Sequence, residues 1–250
     1  MGRFDGKTAV VTGGTSGIGL AAAERLAAEG AYVFLTGRRE PELRGAVAAI
    51  GSERATGVRG DVAVPADLDR LFAQVEAAGR RIDVLFANAG GGRLARLEDV
   101  TEQDFDATFG ANVKGVLFTV QKALPLLNDG ASVILTGSTA GSGGPEGFTV
   151  YSASKAAVRS FARTWANELK GRAIRVNTLS PGPVETPGVN SLAPDPEQNR
   201  RLLDTLVGTV PLGRMGRPEE VADVVAFLAS DESTFVTGVE LFVDGGQQQV

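Results

Sequence analysis

Tyr151 and Lys155 stand four residues apart in Tyr151-Ser152-Ala153-Ser154-Lys155. A helix would bring them to the same face. A phenol normally ionises near pH ~10, and an ammonium beside it favours the phenolate. Ser138, thirteen residues upstream, ends a short apolar run and adds a hydroxyl. A phenol, an ammonium and a hydroxyl held together can exchange a proton with a carbonyl or alcohol oxygen. By itself Tyr-x-x-x-Lys is more often a surface pair. Here, however, the chain has only two tyrosines, and the other, Tyr32, lies in a strand-like run.

The composition narrows the chemistry further. The 250 residues include no cysteine and no histidine. This excludes disulfides, thiolate nucleophiles and the usual structural zinc cages. It also excludes a Ser-His-Asp triad. Proton transfer near neutral pH must therefore use Tyr, Lys, Asp or Glu with an adjusted pKa, and no metal site is expected. With 43% apolar residues the chain can bury a sizeable core. A net charge of −5 argues against a nucleic-acid surface. The apolar runs are too short to cross a bilayer, and Met1-Gly2-Arg3-Phe4-Asp5 lacks a signal-like apolar stretch. A soluble, cytoplasmic protein is the expectation.

A second constellation is Thr12-Gly13-Gly14-Thr15-Ser16-Gly17-Ile18-Gly19. It lies between a β-branched run and a helix-like stretch. Glycines there allow a tight turn and close approach of a pyrophosphate, and the helix start offers free N–H donors. The spacing is neither G-x-G-x-x-G nor a P-loop, so in isolation it is also readable as a ligand-free turn.

The elements that must position these groups alternate. Strand-like runs are expected at Thr8–Thr12, Ala31–Thr36, Ala55–Val58, Ile82–Ala87, Ser132–Thr136, Ile174–Leu179 and Val239–Val243. Helical stretches are expected at Gly17–Glu29, Glu40–Ile50, Pro65–Ala78, Thr101–Leu127, Tyr151–Leu169 and Pro218–Leu228. Short, continuously apolar strands separated by helices predict a parallel sheet covered on both faces. The fold class is α/β, a single doubly wound Rossmann domain over residues 1–250 with a mostly or wholly parallel seven-stranded sheet. Pro181–Asp204 is rich in Pro, Gly and Asn and reads as irregular. A long loop in a compact domain is usually functional, so a substrate lid is expected at about 183–210.

The second strand ends in Gly37-Arg38-Arg39. Enzymes of this architecture that use NAD usually carry an acid there for the adenosine ribose. With glycine in its place and Arg38 following, a 2′-phosphate would be welcomed, which predicts NADPH over NADH. Arg39 adds charge, or points to solvent.

Taken together, the chain resembles a short-chain dehydrogenase/reductase over nearly its whole length. The resemblance rests on Thr12-Gly13-x-x-x-Gly17-Ile18-Gly19, Asp61-Val62, Asn88-Ala89-Gly90, Asn112, Ser138, Tyr151-x-x-x-Lys155, Pro181-Gly182 and Asp244-Gly245-Gly246 in order. Val120–Leu127 and Leu241–Gly246 are similar to bacterial NADPH-dependent alcohol dehydrogenases and ketoacyl-reductase-like members. Ala87, where many members have Asn, and Gly137, where Ser often precedes the serine, are departures.

The resemblance implies roles. Tyr151 would be the general acid and base, Ser138 would hold the substrate oxygen, and Lys155 would lower the Tyr151 pKa and bind the nicotinamide ribose. An oxidised nicotinamide would add a second positive charge. Asn112 would support a proton-relay water, or merely satisfy a helix kink. Gly13, Thr15, Ser16, Gly17, Ile18 and Gly19 would border the pyrophosphate, and Arg38 and Arg39 the 2′-phosphate of NADP. Asp61 and Val62 would frame the adenine, unless Asp61 only caps a turn. Asn88, with Ala89 and Gly90, would meet the ribose, and Val184 and Thr186, after Pro181 and Gly182, the carboxamide. Asp244-Gly245-Gly246 reads as a structural turn.

The implied activity is NADPH-dependent interconversion of ketones and secondary alcohols. A 3-ketoacyl-acyl-carrier-protein reductase is one alternative, with Arg93 and Arg96 as a possible docking patch. A dinucleotide-binding regulator without turnover is another. Small residues after Ser138 (Thr139–Gly144) and apolar lid residues (Val189, Leu192, Leu202, Leu203, Leu206, Val207) suggest bulky hydrophobic substrates. The family resemblance implies a dimer or tetramer, with a homotetramer expected; Phe105, Phe109, Val116, Phe118, Val158, Phe161 and Trp165 exceed what one helix face needs, unless all of them serve the internal core.

Overall fold

The computed structural model describes residues 2–192 and 195–250. Residues 193 and 194 of the expected lid, and Met1 of the N-terminal segment, lie outside them. Seven strands form one sheet: β1 (Thr8–Thr12), β2 (Tyr32–Gly37), β3 (Ala55–Arg59), β4 (Ile82–Ala87), β5 (Leu127–Thr136), β6 (Arg175–Pro181) and β7 (Glu240–Val243). Their order is β3-β2-β1-β4-β5-β6-β7, and every pairing is parallel. The helices are α1 (Gly17–Ala28), α2 (Glu40–Ile50), α3 (Pro65–Ala77), α4 (Glu102–Phe109), α5 (Val116–Ala123), α6 (Thr149–Glu168), α7 (Pro196–Gly208) and α8 (Pro218–Ala229).

The alternation of side chains along a strand explains the two layers. On β1, Ala9 and Val11 face a core built with α1, α2 and α8, while Val10 faces the other core. On β4, Val84 and Phe86 join the first core, and Leu85 and Ala87 join the second with α3, α5 and α6. Both faces are buried, so these central strands are apolar throughout rather than alternating. Burying one such side chain contributes about 1.5–3 kcal/mol.

Three expectations are corrected. Thr101–Leu127 is not one helix. Gly110–Gly115 forms a π-helical turn between α4 and α5, and Leu127 already belongs to β5. Gly115 packs so closely on Val62 that an added Cβ would lie 2.8 Å from its Cγ2. β5 begins five residues before the expected Ser132, and its pairing with β4 shifts register between Ile82 and Val84. That irregularity falls at Asn128-Asp129-Gly130, inside the observed strand. Finally, Pro181–Asp204 is not wholly irregular, since α7 starts at Pro196. Asp195 caps it by accepting from Gln198 N at 2.8 Å, and Pro196 stands in its first turn.

The segment between β6 and α8 is closed at its base. Gly216 N donates to Pro183 O and Glu185 N donates to Gly216 O, both at 2.9 Å. No helix of the described residues is long and apolar enough to cross a membrane.

Candidate active site

The sheet order reverses between β1 and β4, and the carboxyl ends of the strands open there. Open α/β sheets bind ligands at such a crevice. The glycine-rich turn leaves β1 at this point. Gly13 has φ +65°, and a Cβ on it would lie 2.9 Å from Ala89 Cα. Gly17 has φ +52°, and its Cβ would meet Thr186 Cγ2 at 2.9 Å. The Ser16 side chain makes no capping bond to α1, and the first turn of that helix holds no acid. Its N–H groups are therefore left for an anion.

Asn88 is tied into the framework. Its Nδ2 donates to Thr12 O and Gly13 O at 3.1 and 3.3 Å, and its Oδ1 accepts from Thr136 Oγ1 at 3.3 Å. It thus joins the ends of β1, β4 and β5. Thr12 Oγ1 accepts from the backbone N–H groups of Asn88 and Ala89. Gly90 touches the next group: its Cβ would be 2.7 Å from Asn112 Oδ1 and 3.5 Å from Lys155 Nζ.

Asn112 is 0% exposed within the π turn. Its Oδ1 accepts from Gly91 N at 2.9 Å, and its Nδ2 donates to Ser154 Oγ at 2.9 Å. Ser154 was not singled out in the sequence, although its place between Tyr151 and Lys155 was the available signal. Lys155 is 4% exposed, and its Nζ donates to Thr136 O at 2.8 Å. Burial lowers its ammonium to about 8. Among the described residues no carboxylate pairs with it, and two of its three protons remain available for hydroxyl groups.

Ser138 follows β5 and starts the short turn Thr139–Gly141. Its Oγ accepts from Ala140 N at 3.2 Å, which leaves the hydroxyl proton free. Its influence on the neighbouring Tyr151 is to lower the phenol pKa. Burial is the larger influence and pushes the phenol up. The ammonium is turned to Thr136 O and stands 5.5 Å from the centroid of the Tyr151 ring.

The remaining residues are distributed around the crevice. Pro181 is buried at the end of β6, and Gly182 packs against Asp244. Val184 is buried in the first core and bridges to Gly216. Val62 is 7% exposed and packs in the second core. Asp61 Oδ1 accepts from Ala63 N at 2.9 Å, which caps a turn. Arg38 is 79% exposed, with its guanidinium 4.0 Å from Asp61. Beside them lies a cavity of about 870 Å³, also lined by Arg59, Gly60, Asp67 and Arg70. Gly37 has a second reason to be glycine, because a Cβ there would meet Thr15 Cγ2 at 2.5 Å. Arg39, just before α2, pairs with Glu42 in its first turn at 2.8 Å. The glycine cradle, the open helix start and the buried ammonium fit a dinucleotide.

Comparison with known proteins fits this geometry. Residues 13–248 match the family described as Enoyl-(Acyl carrier protein) reductase. The chain is 46% identical to an oxidoreductase of Sarocladium schorii, over 99% of this chain and 98% of that protein. It is 41% identical to a 3-oxoacyl-[acyl-carrier-protein] reductase of Thermotoga maritima, over 98% of each. A short-chain dehydrogenase/reductase structure from Brucella melitensis superimposes with a TM-score of 0.93 at 32% identity, over 100% of this chain and 99% of that one. The protein is therefore an oxidoreductase on a Rossmann-type sheet. More narrowly, it belongs to the short-chain dehydrogenase/reductase family, whose members use a nicotinamide dinucleotide.

Proposed function

We propose that the protein is an NADPH-dependent carbonyl reductase and alcohol dehydrogenase. The observation that carries this reading is the buried Lys155 ammonium, fastened to Thr136 O and 5.5 Å from the centroid of the Tyr151 ring, beside Ser138 at the end of β5. When bound, the cofactor supplies or accepts hydride. In reduction, the Tyr151 hydroxyl gives its proton to the substrate oxygen, and in oxidation the phenolate takes it back. The Ser138 hydroxyl donates to the same oxygen and polarises the carbonyl. Lys155 holds the ribose hydroxyls, and Asn112 supports the proton path to Lys155 while fixing the Gly90–Gly91 loop. Gly13, Thr15, Ser16, Gly17, Ile18 and Gly19 hold the pyrophosphate, with Asn88, Ala89, Gly90, Asp61 and Val62 along the adenosine half. Pro181, Gly182, Val184 and Thr186 lie on the nicotinamide side. Arg38, helped by Arg39, takes the 2′-phosphate.

The lid over about 183–210 covers the substrate with the half-buried Val189, Leu192, Leu202, Leu203, Leu206 and Val207, which favours bulky hydrophobic ketones. The assembly is a homotetramer. Val116 and Val158 are used inside the chain, but Phe105 and Phe235 remain exposed for a partner copy. Light scattering that gives a stable monomer would refute the assembly.

The enzyme assay follows NADPH and NADH oxidation with aryl, long-chain and acetone-sized ketones. Turnover that favours the bulky ketones is expected. Cofactor binding without turnover of any carbonyl would instead indicate a regulator. The Thermotoga maritima relative supports a second reading, reduction of a carrier-bound ketoacyl group. Against it, Arg93 pairs with Asp104 and Arg96 with Glu146, so neither guanidinium is uncommitted. Substrates bound to acyl carrier protein in the same assay separate the two.

A further inference from the structure

Away from the reacting atoms, three side chains from three parts of the fold meet at one carboxylate. Glu240, the first residue of β7, is 14% exposed at its side chain. Ser180 of β6 donates its hydroxyl to Glu240 Oε1 at 2.8 Å. Ser142, at the end of the turn that Ser138 begins, gives its hydroxyl to the same carboxylate, 3.0 Å from Oε2 and 3.2 Å from Oε1. Arg159 of α6 donates to Ser142 Oγ at 2.8 Å and to Glu240 Oε2 at 3.3 Å. Arg159 lies four residues beyond Lys155 and eight beyond Tyr151, on the same helix face. Only an acceptor with two oxygens and no protons can take both hydroxyls and a guanidinium at once.

The turn between Ser138 and Ser142 has little slack. Gly141 N donates to Ser138 O at 2.9 Å, and Ser142 N donates to Thr139 O at 3.1 Å. A Cβ on Gly141 would stand 3.0 Å from Lys155 Cβ, so this turn already rests on α6. A Cβ on Gly137 would collide with Ser180 Oγ. The segment is thus confined between α6 on one side and the hydroxyl that Glu240 holds on the other.

We propose that Glu240, acting with Arg159, is a positioning residue that fixes the Ser142 end of this turn and so presents Ser138 to Tyr151. The proposal rests on the reading of Ser138 and Tyr151 given above. Small misplacements of a reacting group cost up to roughly 100-fold in rate, so a loosened turn is expected to lower kcat.

The test uses a Tyr32→Phe background, in which Tyr151 is the sole tyrosine and its ionisation can be followed by tyrosinate absorbance. Lys155 is the ionisable group facing that ring, and it is unchanged throughout. Glu240→Ala is expected to lower kcat roughly 10- to 100-fold with cofactor Kd unaltered. It should also move the Tyr151 titration upward, because a displaced Ser138 favours the phenolate less. In a Ser138→Ala background the same substitution should change neither quantity further. Should Glu240→Ala not fold, Glu240→Gln, which keeps the volume but not two acceptor oxygens, carries the same expectations. Equal losses with Ser138 present and in the Ser138→Ala background would overturn the proposal, as would a folded Glu240 variant with unchanged kcat and Tyr151 titration. If Ser138→Ala alone leaves kcat intact, the underlying reading of the site fails instead.

Discussion

Asn112 and Ser154, 42 positions apart in sequence, are joined by a 2.9 Å hydrogen bond in the interior. Ser154 Oγ in turn donates to the carbonyl oxygen of Tyr151 at 2.6 Å. The π turn is thereby fastened to the turn of α6 that carries the phenol. Asn112→Ala would leave Gly91 N without its acceptor and remove the Ser154 link. Gly91 is exposed and water can replace the lost acceptor there, but Ser154 is buried, and leaving a buried polar group unsatisfied costs about 1–3 kcal/mol. Urea denaturation should register a loss of that size, accompanied by lower kcat. Unchanged stability would mean that water or a rearranged loop replaces the amide.

Lys155 provides a pH signature. Its pKa falls from 10.5 in the ordinary state to about 8 in the folded protein, so the native state releases the proton first. Between pH 8 and 10.5 the unfolded chain holds more protons, and this group's contribution to unfolding free energy rises with pH. The slope is at most roughly 1.4 kcal/mol per pH unit. Below about pH 8 both states are protonated and the contribution is constant at its most destabilising. Lys155→Met removes it. The stability advantage of Lys155→Met over wild type without cofactor should therefore shrink from pH 8 to 10.5, and an advantage that grows across this window contradicts the linkage.

Tyr151→Phe keeps the ring and its packing against Phe148, 6.1 Å between centroids, and removes only the oxygen. General acid–base catalysis contributes typically ~100- to 10,000-fold. A kcat loss in that range is expected, with cofactor affinity by fluorescence titration close to wild type. Retention of more than about a tenth of wild-type kcat falls outside that range and would remove Tyr151 from its role.

Arg38 is the test of cofactor choice. Hydrogen bonds to charged groups contribute ~1.5–3 kcal/mol, or roughly 10- to 100-fold in affinity. Wild type should prefer NADPH in kcat/KM by about that factor, and Arg38→Ala should erase most of it by raising KM for NADPH far more than for NADH. Equal kcat/KM for the two cofactors in wild type would refute the preference. Arg39→Ala is expected to have the smaller effect, since Arg39 is already paired with Glu42.

Local signals were sufficient for the sheet and for the spacing of Tyr151 and Lys155. β1 is buried throughout and rich in β-branched residues, and a four-residue separation on a helix needs no tertiary information. Glycine requirements at Gly13 and Gly17 follow from the turn itself, since both have positive φ. The π turn at Gly110–Gly115 was not legible, because its apolar residues resemble those of an ordinary helix. What distinguishes it is a buried amide whose partners, Gly91 and Ser154, come from other elements. Likewise nothing near Gly37 in the chain reveals Thr15, and nothing near Lys155 reveals that its ammonium turns to Thr136 O. Side-chain periodicity and backbone preference act over a few residues, so they were present in the sequence. Burial, and the partner each buried polar group finds, depend on segments that meet only when the sheet has closed, and these the tertiary structure alone decided.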